Sequence, residues 1–179
     1  MAPLIVHAGP RAAAAGLEAL IDLYAEVFAS PPYYEGPEDV LRFRKLLTAE
    51  LEQPGFALVR AIEGSELVGM AYGFTFAPEV WWPGSATPAP PEALGVPKFA
   101  VMELAVRADH QGRGLGRALL GALLDDRAEP LAVLTVAPAA PADAIYRAWG
   151  WRPAGHTIPD PESHSFYNIL CFDLPVMTE

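Results

Sequence analysis

The sequence predicts an α/β fold: a mixed, mostly antiparallel sheet of about seven strands flanked by about four helices, in the order β-α-α-β-β-β-α-β-α-β-β. Three observations carry this. The first half holds a strand, two amphipathic helices and a hairpin signal; residues 99–106 form an apolar run suited to a strand buried on both faces; and strands alternate with helices thereafter. A chain of 179 residues, 52% apolar, fits one domain over residues 1–179, and neither an internal repeat nor a linker interrupts it.

Leu4, Ile5 and Val6 begin the chain as a short strand, and Leu17, Leu20, Ile21, Leu23, Tyr24, Val27 and Phe28 then recur at helical spacing. The segment Ser30 to Pro37 breaks that helix, and a second is expected from about Glu38 to Glu52, carrying Val40, Leu41, Phe43, Leu46, Leu47 and Leu51. Phe56 to Ile62 and Leu67 to Phe76 read as two arms of a hairpin turning at Glu63, Gly64 and Ser65, with Gly69 and Gly73 marking a bulge or a close backbone approach. Residues 77–97 contain six prolines, which exclude regular structure, together with the pair Trp81 and Trp82. A loop of that length in a compact domain is usually functional, so it reads either as a binding-site wall or as a loop pinned by aromatic anchors. A central strand at Phe99 to Val106 follows, then a helix from Leu115 to about Arg127, a strand at Leu131 to Val136, a helix at about Asp143 to Trp149, and strands near Arg152 to His156 and Ser165 to Leu174.

Charge and composition remove several classes of function. The formal net charge of −10 and the lack of a clustered Lys/Arg patch argue against a nucleic-acid partner, since phosphate backbones need such a cluster. The N-terminus lacks the layout of a signal peptide and no apolar run approaches membrane-spanning length, so a cytoplasmic protein without membrane association is expected. Abundant Ala, Pro and Arg beside only two lysines, Lys45 and Lys98, suggest a GC-rich bacterial source. Cys171 stands alone in an apolar strand and reads as core. No second His or Cys is spaced for ligation with His110, so no metal is expected and His110 reads as a solvated loop residue.

The segment that carries chemistry is Val106 to Arg117, where a strand runs through a glycine-rich turn into a helix N-terminus. Unpaired N–H groups and the positive end of the helix dipole make an anion site there, and glycines let a pyrophosphate approach the backbone. The glycines at 112, 114 and 116 match neither G-x-G-x-x-G nor a P-loop, which disfavours dinucleotides and nucleoside triphosphates. They do match Gln/Arg-x-x-Gly-x-Gly/Ala through Gln111, Gly114 and Gly116. Here the chain resembles the GNAT superfamily of N-acetyltransferases, whose acetyl-CoA pyrophosphate loop has this pattern after a strand reading much like Glu103, Leu104, Ala105, Val106. A second stretch, Ala144 to Trp151 with Tyr146 four residues before Gly150, looks like that family's helix-to-strand signature.

The resemblance implies that Gln111, Gly112, Arg113, Gly114, Leu115, Gly116 and Arg117 cradle the pyrophosphate of acetyl-CoA. It further implies that the backbone of Leu104, Ala105 and Val106 holds the pantetheine arm, and that the cofactor enters where the strands at 99–106 and 131–136 splay apart. Tyr146 would face the thioester sulfur as a proton donor to the leaving thiolate, or else be a core aromatic of its helix. Glu103 is either the base that deprotonates the attacking amine, which is almost wholly protonated at neutral pH, or a structural or substrate-anchoring carboxylate. The implied reaction is direct acetyl transfer in a ternary complex. Its acceptor would be a small cationic amine, suggested by Glu35, Glu38, Asp39, Glu79 and Glu92, with Tyr33, Tyr34, Trp81 and Trp82 as candidate contacts and His156 and His164 as further ones. Acetylation of a protein N-terminus or lysine, and a non-catalytic acyl-CoA-binding module, are the alternatives. Dimers recur in the family, so a homodimer is open to test. One departure stands out: residues 137–143 read Ala-Pro-Ala-Ala-Pro-Ala-Asp, without the Asn that often bonds the cofactor arm, and Asp143 reads as a helix N-cap.

Overall fold

The computed structural model describes residues 2–158 and 166–175. Seven strands form one sheet in the order β1-β2-β3-β4-β5-β7-β6. β1 (Leu4–Ala8), β2 (Ala57–Glu63) and β3 (Glu66–Phe76) pair antiparallel; β4 (Lys98–Val106) pairs parallel with β5 (Leu131–Val136) over Lys98–Ala100 against Leu131–Val133; β7 (Tyr167–Asp173) pairs antiparallel with both β5 and β6 (Arg152–Thr157). The α-helices are α1 (Pro10–Ala15), α2 (Leu17–Phe28), α3 (Pro37–Glu50), α4 (Leu115–Leu124) and α5 (Pro141–Ala148). The extra helix is α1, which has Pro10 in its first turn and ends at Gly16; its alanine-rich sequence has no apolar stripe to announce it. Contacts divide the chain into two compact units, residues 1–74 with 102–125, and residues 75–101 with 126–179.

In the first unit, α2 and α3 lay Leu20, Leu23, Tyr24, Phe28, Phe43, Leu47 and Leu51 on Leu58, Met70 and Tyr72 of the β2–β3 hairpin. The hairpin turns at Gly64, whose φ of 62° suits glycine. Its register shifts where Ala61 faces Gly69 while Ile62 faces Leu67, leaving Val68 as the extra residue of a bulge. Successive side chains alternate across the sheet, so Gly69 faces opposite to Met70, toward α4. A Cβ on Gly69 would lie 2.9 Å from Leu119 Cδ1 and 3.2 Å from the Ala105 carbonyl oxygen, so the close approach expected of this glycine is real.

In the second unit Phe99, Ala100, Leu131, Ala132, Val133, Leu134, Ile169, Leu170 and Cys171 are buried, Cys171 as core. Arg127 lies 3.8 Å over the Phe99 ring and pairs with buried Glu129, which also accepts from Thr75. Residues 77–97 follow a fixed path rather than a free one. Ser85 bridges to Thr157, Ala86 N–H donates to the His156 carbonyl, His156 N–H donates to Thr87 Oγ1, and Thr157 Oγ1 donates to the Pro83 carbonyl, so this segment lies along β6. Gly155 permits it: a Cβ there would fall 2.0 Å from Thr87 Oγ1. Lys98, 1% exposed, donates from Nζ to the carbonyls of Pro78 (2.8 Å) and Ala93 (3.1 Å), tying the two stems together. Among the described residues no helix is long and apolar enough to cross a membrane.

Candidate active site

β4 ends at Val106, and a short 3₁₀ turn at Ala108–His110 leads into the glycine loop. The stem is held from three sides. Arg107 donates to Glu26 of α2 and to Glu66 of β3, while its backbone N–H donates to the Val68 carbonyl. His110 is not simply solvated: its Nδ1 lies 2.6 Å from Asp109 and its Nε2 3.1 Å from Glu63, and these carboxylates push its pKa up. The Gln111 side chain donates to the Val106 carbonyl at 2.8 Å, closing the loop on the strand end and leaving its backbone for any ligand.

Gly112 (φ 70°) and Gly114 (φ 81°) adopt the left-handed conformation, and a Cβ on either would meet nothing within 4 Å. Both are therefore required by conformation, and the space above them is open. Gly114 is the N-cap of α4 and supplies no side chain to cap it; the first turn bond runs from Ala118 N–H to the Gly114 carbonyl. The N–H groups of Leu115, Gly116 and Arg117 thus stand at an uncapped helix start. Arg113 and Arg117 are exposed, and neither makes an ion pair among the described residues, whereas Arg42, Arg44, Arg107, Arg127, Arg147 and Arg152 all do. In a chain of net charge −10, two uncompensated cations beside an uncapped helix N-terminus fit a multiply charged anion such as a pyrophosphate.

Glu103 lies on the same strand, three residues before its end and half-buried. One carboxyl oxygen accepts from the Leu104 N–H at 3.2 Å. Burial pushes its pKa from 4.5 to about 8, helped by the charges of Glu35 and Glu50 and opposed by that one hydrogen bond. Around it is an aromatic shell that the sequence did not announce. Tyr24 stacks on Phe43 with centroids 3.8 Å apart and donates to Glu35; Tyr72 donates to Glu50 at 2.7 Å. Burial, with these carboxylates adding to it, pushes the phenols of Tyr24, Tyr33 and Tyr72 upward, and burial also raises Glu35 and Glu50. Tyr24 and Tyr72 occupy apolar-face positions where an aliphatic side chain would pack equally well, and Glu50 is 8% exposed at the end of α3. A phenol on a core face and a carboxylate on a buried helix end are the signals that could have found them.

The remaining candidates fall out as follows. Tyr33 (41% exposed) packs edge-on against Phe28 at 4.8 Å, and Tyr34 is 72% exposed at φ 53°. Of the acidic residues that suggested a cationic acceptor, Asp39 caps α3, accepting from the Gly36 N–H, and Glu92 pairs with Arg152. In the second unit Tyr146 sits on α5 among Trp149 (5.8 Å) and Trp151 (6.0 Å). Asp143 is not the cap of that helix. Ala140 is the N-cap and Pro141 the first helical residue, which places Asp143 at the third position of the first turn, where it binds Arg147 and accepts from Asn168. Trp82 packs on Phe76 at 5.5 Å, and Trp81 Nε1 is buried with no hydrogen-bond partner among the described residues. His156 lies edge-on to Phe166, and His164 lies outside the described residues. Among the described residues no group of three or more His, Cys, Asp and Glu is placed to hold a metal ion.

Comparison with known proteins is consistent with this geometry. No curated protein sequence matches the chain. Its fold is similar to a structure from Desulfovibrio desulfuricans assigned to the GNAT family (TM-score 0.66, 18% identity, covering 97% of this chain and 100% of that one). It is also similar to a Corynebacterium glutamicum protein described as a histone acetyltransferase and related acetyltransferase (0.63, 20%, 99% of each chain), and to the PaiA N-acetyltransferase of Thermoplasma acidophilum in complex with coenzyme A (0.61, 14%, 97% and 99%). The model of the acetyltransferase (GNAT) family matches residues 17–151, which span the glycine loop, Glu103 and Tyr146, and the chain therefore belongs to the GNAT family of acetyltransferases.

Proposed function

We propose that this acetyltransferase moves an acetyl group from acetyl-CoA to a primary amine of a small cationic molecule. The observation that carries the reading is the composition of one strand: β4 bears a half-buried carboxyl poised near neutrality and ends at an uncapped, cation-flanked glycine loop. The loop would hold the pyrophosphate through the N–H groups of Leu115, Gly116 and Arg117 and the side chains of Arg113 and Arg117. The backbone of Leu104, Ala105 and Val106, beyond the stretch of β4 that pairs with β5, would take the pantetheine arm. Acetyl-CoA supplies the activated acyl group when bound.

The chain's own residues then manage protons. An alkylammonium with pKa near 10.4 must lose a proton before its nitrogen can attack, and a carboxylate with pKa near 8 accepts one far better than an ordinary glutamate. Glu103 would hold the amine's proton as the C–N bond forms, and the likeness of residues 144–151 to the family's helix-to-strand signature makes Tyr146 the candidate proton donor to the departing sulfur. The aromatic shell around Glu103 favours a cationic acceptor, because phenol and phenyl faces and buried carboxylates both attract ammonium groups.

Thermal unfolding with acetyl-CoA, and with ATP and NAD as controls, tests the cofactor half: ligand at 100 times its Kd adds about 2.7 kcal/mol. A selective rise with acetyl-CoA, followed by thiol release on adding amines, is expected. Absence of any rise with acetyl-CoA or CoA would sink the reading. Tyr146→Phe should lower kcat by about 100-fold while keeping the acetyl-CoA shift.

A further inference from the structure

The turn that joins β2 to β3 carries a carboxylate on each side, Glu63 and Glu66, which stand directly opposite one another in the hairpin register. Like charges so placed repel and destabilise a hairpin end unless something offsets them. The stem of the glycine loop supplies both offsets. Arg107 donates to Glu66 at 2.9 Å, and the His110 Nε2 lies 3.1 Å from Glu63, 47 positions away in the chain. The hairpin tip is thus tied to the stem at two points, the second of them close before Gly112. Above the loop the space is open, since a Cβ on Gly112 or Gly114 would meet no atom within 4 Å. Order in the ligand-free loop therefore comes from its stem, and a loop already shaped for its ligand loses less freedom on binding.

Of the two ties, the one through His110 depends on a proton. Its Nδ1 faces Asp109 at 2.6 Å while its Nε2 faces Glu63. A neutral imidazole has one N–H and can donate to one carboxylate only, whereas the imidazolium donates to both. The side chain is 12% exposed, so the second nitrogen has little water to turn to. The bonds to Asp109 and Glu63, in that order, push the His110 pKa up. Asp109 is in turn held low by its bond to His110 and more weakly by the charge of Arg107, which itself pairs with Glu26 and Glu66.

We propose that His110 is a positioning residue for acetyl-CoA: as the imidazolium bridging Asp109 and Glu63 it holds the glycine loop in its pyrophosphate-binding shape, and affinity falls as rising pH opens the bridge. This rests on the reading above, that the loop takes the pyrophosphate. The bridge is complete below the raised pKa of His110 and is lost as pH rises through it. The shorter bond to Asp109 keeps the remaining N–H, so the link to the hairpin is the one given up. A histidine acting only as a positive charge near an anion predicts the opposite effect at Glu63. Removing that negative charge would then tighten binding, whereas removing one arm of the bridge weakens it.

The test is calorimetric titration of the full chain with acetyl-CoA at pH 6 and pH 9.5, for wild type, His110→Phe, Glu63→Ala, Glu63→Gln and the double variant His110→Phe with Glu63→Ala. At pH 6 each of His110→Phe and Glu63→Ala should weaken binding by about three- to fivefold, and the double variant no further than either alone. Between the two pH values wild-type Kd should rise by about threefold more than that of His110→Phe. Glu103 and the ligand's own phosphates titrate in every protein and cancel from that ratio. Glu63→Gln, whose amide can accept from the imidazolium or donate to the neutral ring, should bind nearly as well as wild type at pH 6 and lose the extra pH dependence. A cooperative melt of each ligand-free variant shows that it is folded; should His110→Phe fail this, the sign at Glu63→Ala and the pH response of Glu63→Gln decide alone. If Glu63→Ala binds as tightly as wild type or more so, or if the extra pH dependence survives in Glu63→Gln, the positioning role is overturned while the cofactor reading stands. If wild type binds no acetyl-CoA at either pH, the cofactor reading fails and this one with it.

Discussion

Replacing Glu103 by glutamine removes a titratable group while keeping its shape and the oxygen that accepts from the Leu104 N–H. Moving a carboxyl from 4.5 to about 8 corresponds to on the order of 5 kcal/mol against its ionised form. Because Glu103 is only half-buried, solvent and mobile ions reduce this to about 2 kcal/mol. The sign follows from proton binding. Between about pH 4.5 and 8 the unfolded chain has lost this proton and the folded chain retains it, so wild-type stability falls as pH rises through that window and levels off above it. Glu103→Gln lacks this loss, so its melting temperature should gain on wild type by about 4–8 °C between pH 4 and pH 9, taking about 2–4 °C per kcal/mol for a chain of this size. Differential scanning calorimetry of both proteins across that range measures it, and Glu35 and Glu50, present in both, largely cancel. A difference that does not change with pH, or that changes in the opposite direction, would refute the raised pKa and with it the argument for Glu103 as a base. In the same variant kcat should fall by about 100-fold or more, and the acid limb of the wild-type rate profile, centred near pH 8 in the free enzyme, should disappear.

Other substitutions probe the glycine loop and the segment along β6. Arg113→Ala with Arg117→Ala should leave the ligand-free melting temperature within about 1 °C, since neither arginine is ion-paired among the described residues, yet weaken acetyl-CoA about tenfold by calorimetric titration, more at low salt than at high. Gly114→Ala forces a side chain to φ 81° and should cost about 1–2 kcal/mol in chemical denaturation. Gly121→Ala is its contrast: an exposed glycine inside α4 whose added Cβ meets nothing within 4 Å, it should gain about 0.5–1 kcal/mol. Lys98→Met strips the buried Ala93 carbonyl and the part-buried Pro78 carbonyl of their donor and should cost about 2 kcal/mol, with faster amide exchange across residues 78–94.

The order of strands and long helices was legible because each has a clean period: the stripe from Leu17 to Phe28 and the apolar run at 99–106 both correspond to the elements found. The glycine loop was legible because it is contiguous, and its left-handed glycines are local requirements. What escaped depends on distant partners. His110 read as solvated because nothing near it in sequence announces Glu63, 47 positions away. Residues 77–97 read as irregular because their partners, Thr157 and Lys98, lie outside them. Asp143 was misread from its preference for caps, which the rigid Pro141 overrode. The acceptor region was only partly visible: of the acidic residues noted, Asp39 and Glu92 have local structural duties, while Glu50 and the phenols of Tyr24 and Tyr72 were hidden among core positions.

The ties between residues 83–87 and β6 also bear on how the protein keeps from aggregating. β6 ends the strand order on one side, and an open strand edge is a template for another chain. The bridge from Ser85 to Thr157, and the bonds of Ala86 and Thr87 to His156, occupy that template from within. Gly155→Val, which would drive a side chain into Thr87, should uncover it and promote association through β6, read as a rise in mass by light scattering. The other terminal strand, β1, is only five residues long, which keeps its own open edge short.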